Sequence, residues 1–242
     1  MTFGIPGRAA SGSVPSARTA PLARISRSAL ELNLRAVLSS SADGIVDVRA
    51  DAWGHGLEFV ATMALSEGAQ ALMVDETGVA RLAGAVEPAR LVSAGASADS
   101  QAVYGLTPGF APVLSLVGVV LSCKVLRAGE GVSYGYTHRA TRDTVVALVT
   151  GGYAQGVVRS LGNAATVRVG QERHPIVGRV AMDVCVIDVG PLGAVDRGDE
   201  VVFFGDPVSD APAVAEWAAA TGLQAAELVT AVGLRNDREY VR

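Results

Sequence analysis

The chain has 242 residues, half of them hydrophobic and 18% charged, with a formal net charge of −4. That length and apolar content suit one large or two small packed domains and argue against global disorder. The mild acidity, with no basic patch interleaved with aromatics, argues against nucleic acid, and no uninterrupted apolar run reaches the ~20 residues of a membrane span.

Residues 1–21 read as a disordered tail, because the opening twenty are rich in Gly, Ser, Pro and Ala and lack the apolar segment of a secretory signal. Residues 22–25 read as a short strand. Ser28 to Glu31 reads as a capping box opening a helix, whose Leu30, Leu34 and Val37 share one face. Ile45–Val48, Ala71–Val74 and Arg90–Ala94 are apolar runs of strand length, with helix-like segments at Leu57–Glu67 and Glu76–Ala83. This alternation predicts βαβ units and a parallel sheet. From Pro112 to Phe204 the texture changes to short Val-rich runs: Leu116–Leu126, Thr144–Val149, Thr166–Val169, Ile176–Val180, Val184–Val189 and Glu200–Phe204. Turn signals at Arg127–Glu130 and Asp196–Asp199 separate them, a spacing that predicts an all-β sandwich or barrel. A helix is predicted over Ala211–Ala220, with Val214 and Trp217 on one stripe and Gly222 past its end. The division falls near Thr107-Pro108-Gly109. The expected organisation is α+β: a tail over 1–21, an α/β segment over 22–107 and an all-β domain over 108–242.

Few residues announce chemistry. Cys123 and Cys185 form neither a disulfide framework nor a metal motif, and His55, His138 and His174 are too scattered for a metal site. A cytoplasmic location is expected. The segment from Val48 to Gly56 ends the first parallel strand, where α/β sheets place ligands.

That segment resembles the VKADAYGHG stretch of alanine racemases, matching at Val48, Ala50, Asp51, Ala52, Gly54, His55 and Gly56. Arg49 stands at the family's Schiff-base lysine, and Trp53 at its tyrosine. A longer resemblance runs through the second half. It is carried by Val113–Leu116, Arg127–Gly135, Gly152–Gly156 (the family's GYADG, with Gln155 for aspartate), Pro175–Asp183 (PIVGRVCMD), Gly198–Gly205 (GDEVVLFG), and Arg235, Arg238 and Tyr240 (RVPRVY). The resemblance implies the C-terminal β-domain of a racemase that interconverts L- and D-alanine with pyridoxal phosphate (PLP) on a (β/α)8 barrel. It assigns an acid/base role to Tyr134, a substrate-carboxylate contact across a dimer to Met182, and the substrate entrance to Tyr153. Arg49 and Trp53 take cofactor-side positions.

Two departures shape the expected function. A guanidinium stays protonated and is a poor nucleophile, so Arg49 cannot form the Schiff base. It is expected instead to pair with a nearby carboxylate such as Asp51. The chain's single lysine, Lys124, lies in the β-half. In addition, Ala102 to Pro108 resembles the barrel's exit (ALYGLSP), so the middle of the barrel is missing. With it go the phosphate-binding serine and two arginines that the family places there. The remaining βα units are expected to form a small layer on the β-domain or to be completed by a partner chain. The chain is thus expected to be a degenerate racemase relative, inactive alone. The alternatives are a non-catalytic partner supplying Tyr134 and Met182 to a full-length racemase, as heterodimer or homodimer, and a racemase with a rebuilt site.

Overall fold

The computed structural model describes residues 20–95, 98–133 and 135–242, so residues 1–19 of the tail expected over 1–21 lie outside the described residues. Strand β1 (Leu22–Ser26) leads directly into α1 (Arg27–Ser40). The helix is capped by Ser26, whose hydroxyl accepts from the Ala29 amide at 3.2 Å. The capping box expected at Ser28 does not form, because the N-cap lies two residues earlier and Glu31 instead pairs with Arg35 along the helix surface. The predicted face of Leu30, Leu34 and Val37 is buried.

The α/β layer follows in chain order: β2 (Ile45–Asp47), α2 (Arg49–Trp53), α3 (Leu57–Ser66), β3 (Ala71–Met73), α4 (Glu76–Leu82), β4 (Leu91–Val92) and α5 (Ser100–Val103). Strands β2, β3 and β4 form a parallel three-stranded sheet in that order, as predicted. The edges of a sheet cut from a barrel carry unpaired backbone groups that must be covered. Beside β2, the Ala98 amide donates to Ile45 O at 3.2 Å and the Tyr104 hydroxyl to Asp47 O at 2.7 Å. The outer strand β4 is only two residues long. Asn33 of α1 ties down the returning chain, donating to Val103 O and Ala111 O and accepting from the Ala111 amide.

The remaining strands are β5 (Leu114–Leu126), β6 (Gly131–Val132), β7 (His138–Arg139), β8 (Thr144–Thr150), β9 (Thr166–Val169), β10 (Glu172–Pro175), β11 (Val184–Gly190), β12 (Glu200–Phe204) and β13 (Asp237–Val241). The large sheet has the order β10-β9-β12-β5-β1-β13, with β8 pairing both β5 and β11. Strand β5 changes neighbours along its length. Its first half lies between β1 and β12, and from Val120 onward it pairs with β8, with an irregularity between Val120 and Ser122. Gly118 permits the switch, since a Cβ there would sit 2.5 Å from Thr150 O. The result is a curled sheet that does not close as a barrel; a single bridge, Ile176 to Ile187, joins β11 to the segment after β10. The strand expected at Ile176–Val180 is a loop instead. There Asn163 accepts from the Gly178 amide, and Gly178 takes φ +74°.

Although β1 precedes the α/β layer, it pairs antiparallel with β5 and parallel with β13 inside the large sheet. One hydrophobic cluster runs through both parts, from Val46 and Leu72 to Phe203, Trp217 and Val232. Helices α6 (Val214–Thr221) and α7 (Ala225–Arg235) complete the fold, with Gly222 in the left-handed cap conformation expected of it.

The contact between the two parts centres on α2. Ala50, Asp51, Ala52 and Trp53 all have positive φ, between 50° and 56°, so the turn is left-handed. Such backbone costs roughly 1–2 kcal/mol per residue and persists only where its surroundings over-determine it. The surroundings here come from the far end of the chain. Gly54 packs directly on Gly233 of α7, with a Cβ at Gly233 falling 2.1 Å from Gly54 O. Arg238 of β13 donates to Gly54 O at 2.7 Å and to Gly233 O at 3.0 Å, and it pairs with the Asp51 carboxylate. The Tyr240 hydroxyl reaches His55 O at 3.3 Å.

His55 is fully buried beneath this clamp. Its Nδ1 faces only the carbonyls of Ala52 and Trp53, each at 3.0 Å, so Nδ1 carries the proton. Burial pushes its pKa down to about 4, against the opposing pull of those carbonyls.

Two measurements test this packing. Gly233→Ala forces backbone apart at the α7 contact and should lower stability by about 1–3 kcal/mol in urea denaturation, without changing the far-ultraviolet circular dichroism of the folded state. His55 titrates lower folded than unfolded, so its contribution is intact above the unfolded pKa and is lost as pH falls from about 6.5 toward about 4. Moving from about pH 7 to about pH 5 should cost on the order of 2 kcal/mol, and His55→Gln should flatten that slope whatever its own baseline stability.

Candidate functional site

The carboxyl end of β2 and β3 carries a dense ionic cluster. Arg49 follows β2 by two residues, and its side chain turns back onto Asp47. Nε donates to Oδ1 at 3.0 Å, Nη2 to Oδ2 at 2.8 Å, and the Arg49 amide to Oδ1 at 3.0 Å. The carboxylate expected to pair with Arg49 was Asp51; the structure gives Asp47 instead. The reason is geometric. The left-handed turn carries Asp51 away toward α3 and β13, while Asp47 faces the same way as Arg49. The Asp47 side chain is 4% exposed and that of Arg49 48%. Hydrogen bonding to Asp47 holds the Arg49 guanidinium above its ordinary range, against a smaller effect of burial.

Asp51 and Asp75 organise the rest. Asp51 Oδ1 accepts from the Leu57 amide at 2.9 Å, capping α3, and from Arg81 at 2.7 Å, while Oδ2 meets Arg238. Burial pushes the Asp51 carboxyl up, but the Leu57 amide, Arg81 and Arg238 outweigh it and hold it below the usual carboxylate range. Asp75 caps α4 through the Gly78 amide at 2.7 Å and also accepts from the Ala50 amide at 3.1 Å. Arg81 makes a second fork to Glu58. The cations and carboxylates of this end are thus occupied with one another.

Trp53 stacks on Tyr104, ring centroids 5.1 Å apart, and Tyr104 stacks in turn on His55 at 4.6 Å. Burial, followed by the charges of Asp47 and Asp51, raises the Tyr104 hydroxyl well above its ordinary pKa. The other sequence-predicted residues lie elsewhere. Tyr153 opens a turn after β8, and its amide donates to Ala181 O at 3.0 Å. Met182 sits beside it, its carbonyl accepting from the Ala154 amide at 2.9 Å. Tyr153 and Met182 are 37% and 55% exposed, neighbours through these two backbone hydrogen bonds. Tyr134 lies outside the described residues. Lys124 is on the exposed part of β5, beside Glu130, Tyr136 and Arg139, not at the ionic cluster. No group of metal-ligating side chains occurs among the described residues.

Asp47, Tyr104, Arg81 and Gly233 escaped the sequence reading. For Asp47 a signal was present: a carboxylate inside an apolar strand run needs a partner, and the nearest cation is two residues on.

The model of the family "Alanine racemase, C-terminal domain" matches residues 113–240. The alanine racemase of Mycobacterium tuberculosis (strain ATCC 25618 / H37Rv) is 43% identical over 148 residues, which cover 57% of this chain and 38% of the relative. That of Frankia casuarinae is 41% identical over 149 residues, with the same coverages of 57% and 38%. The chain thus spans less than two fifths of the length of the curated relatives it matches. Among solved structures, the alanine racemase from D-cycloserine producing Streptomyces lavendulae superposes with a TM-score of 0.83 at 20% identity, covering 93% of this chain and 98% of that one. The Bartonella henselae enzyme, with covalently bound pyridoxal phosphate, gives 0.73 at 17% identity, covering 93% and 100%. The fold and the matched domain together show that the chain belongs to the alanine racemase family.

Proposed function

We propose that this chain is a non-catalytic member of the alanine racemase family, inactive on its own in the PLP-dependent interconversion of L- and D-alanine. The observation that carries this reading is the Arg49 fork on Asp47. The family's cofactor is expected to attach through a neutral amine at this position, and the group found here is a permanent cation with both ends of its fork engaged. Lys124, the one lysine of the chain, lies on an exposed strand away from the cluster. The residues present therefore do not fit a covalently held PLP.

A second reading draws on the exposed, neighbouring Tyr153 and Met182. Exposed apolar side chains of this size favour a protein contact. In that reading the chain docks on a full-length racemase, or on a second copy of itself, and presents Met182 and Tyr134 to the partner. Both readings suit a cytoplasmic protein, and among the described residues no helix is long and apolar enough to cross a membrane.

Incubation of the purified chain with PLP and L-alanine in deuterated water should give no loss of the α-proton signal above a PLP-only control. Exchange that disappears in Tyr134→Phe would overturn the non-catalytic reading. Exchange that appears only when a full-length racemase is added and co-elutes with the chain would favour the docking reading.

A further inference from the structure

We propose that Asp47 is a positioning residue that commits position 49 to a cation, so that even a lysine placed there is held as an ammonium while Asp47 remains. The proposal rests on the non-catalytic reading above and names its structural cause.

Among the described residues, every hydrogen bond to the Asp47 carboxylate comes from residue 49: the backbone amide, Nε and Nη2. Asp47 is nearly inaccessible, so without its cation it would be a buried carboxylate with no opposite charge, an arrangement proteins avoid. The neighbouring charges cannot substitute. Arg81 on α4 is taken up by Asp51 and Glu58, and Arg238 on β13 by Asp51 and the carbonyls of Gly54 and Gly233. Asp75, from the loop before α4, adds a second negative charge facing Arg49. Position 49 therefore faces two carboxylates, with no free cation nearby among the described residues.

The chemical consequence concerns the amine that Schiff-base formation needs. A neutral amine adds its lone pair to an aldehyde carbon, and loss of water leaves a C=N bond. An ammonium has no lone pair to add. Facing Asp47 and Asp75, a lysine amine at position 49 is stabilised in the protonated form. Reversing the Arg49 substitution alone thus leaves the position unreactive; Asp47 must be removed with it. Two positions, not one, separate this chain from aldehyde chemistry at β2.

The chain's single native lysine makes the test direct, because Lys124 is exposed and serves as an internal reference. Arg49→Lys and the double variant Asp47→Asn/Arg49→Lys are produced with 13C-labelled lysine, and the 13Cε resonances of the two lysines are titrated by NMR. The introduced amine is expected to titrate above Lys124 in the single variant and at or below it in the double variant, a fall of at least about one pH unit, or tenfold in neutral amine. An introduced amine at or below Lys124 with Asp47 intact overturns the proposal, as does one that stays above Lys124 after Asp47→Asn. The single variant keeps an ion pair and decides the matter even if the double variant unfolds. No step depends on PLP or turnover, so a result here is separate from the α-proton exchange result.

Discussion

The Asp51 carboxylate is the point on which the two parts of the molecule depend. It caps α3, receives Arg81 from α4 and receives Arg238 from β13, some 187 residues further along the chain. The carboxylate is mostly buried, and each partner offsets part of the cost of holding its charge away from water. Their importance is also geometric. They hold a left-handed turn whose backbone resists that shape, and the turn in turn presents Gly54 to Gly233 so that α7 can close over His55. A strained segment needs partners that arrive from several directions. Here those partners are α3, α4, α7 and β13, so the N-terminal layer and the C-terminal strand brace one another.

The same interdependence explains how three parallel strands persist without a barrel around them. In a closed barrel each strand edge is satisfied by the next strand. In this chain the returning segment from Ala98 to Tyr104 satisfies the carbonyls of β2, and β4 is too short to present much of an edge. The N-terminal strand β1 meanwhile lies between β5 and β13. It brings its own layer along, because α1 begins at the residue after it. The buried cluster therefore continues from Val46 to Val232 rather than splitting into two cores.

Much of this was legible in the chain itself. The βαβ alternation appeared as a parallel sheet of three strands, and Thr166–Val169 and Glu200–Phe204 became strands with the bounds their patterns implied. Local periodicity carries such information because a strand or helix face is written in consecutive residues. What escaped was non-local. Nothing near Ala23 announces a partner at Arg238, and the left-handed φ of Ala50 to Trp53 contradicts the propensities of those residues. Helix α7 was missed because its apolar face, with Leu228, Val229 and Val232, follows α6 after only a short break. In the candidate site, the importance of position 49 was readable from a single substitution. Its true partner was not, because the turn direction decides which of two nearby aspartates Arg49 meets.

That partner changes what the substitution means. Taken alone, arginine for lysine removes a nucleophile and leaves a vacant role. Taken with Asp47, it is one half of a pair in which each member engages the other: among the described residues the buried carboxylate has no donor outside residue 49, and the guanidinium spends its planar fork on it. Arginine suits this better than lysine, since its rigid fork matches a carboxylate's two oxygens where an ammonium offers one contact at a time. The end of the sheet where a ligand would be expected is consequently neutralised from within. Its carboxylates cap helices and hold the turn, and its arginines hold the carboxylates. A cluster arranged in this way lends rigidity to the junction between the two parts, because each charged group in it is held by a partner from another element.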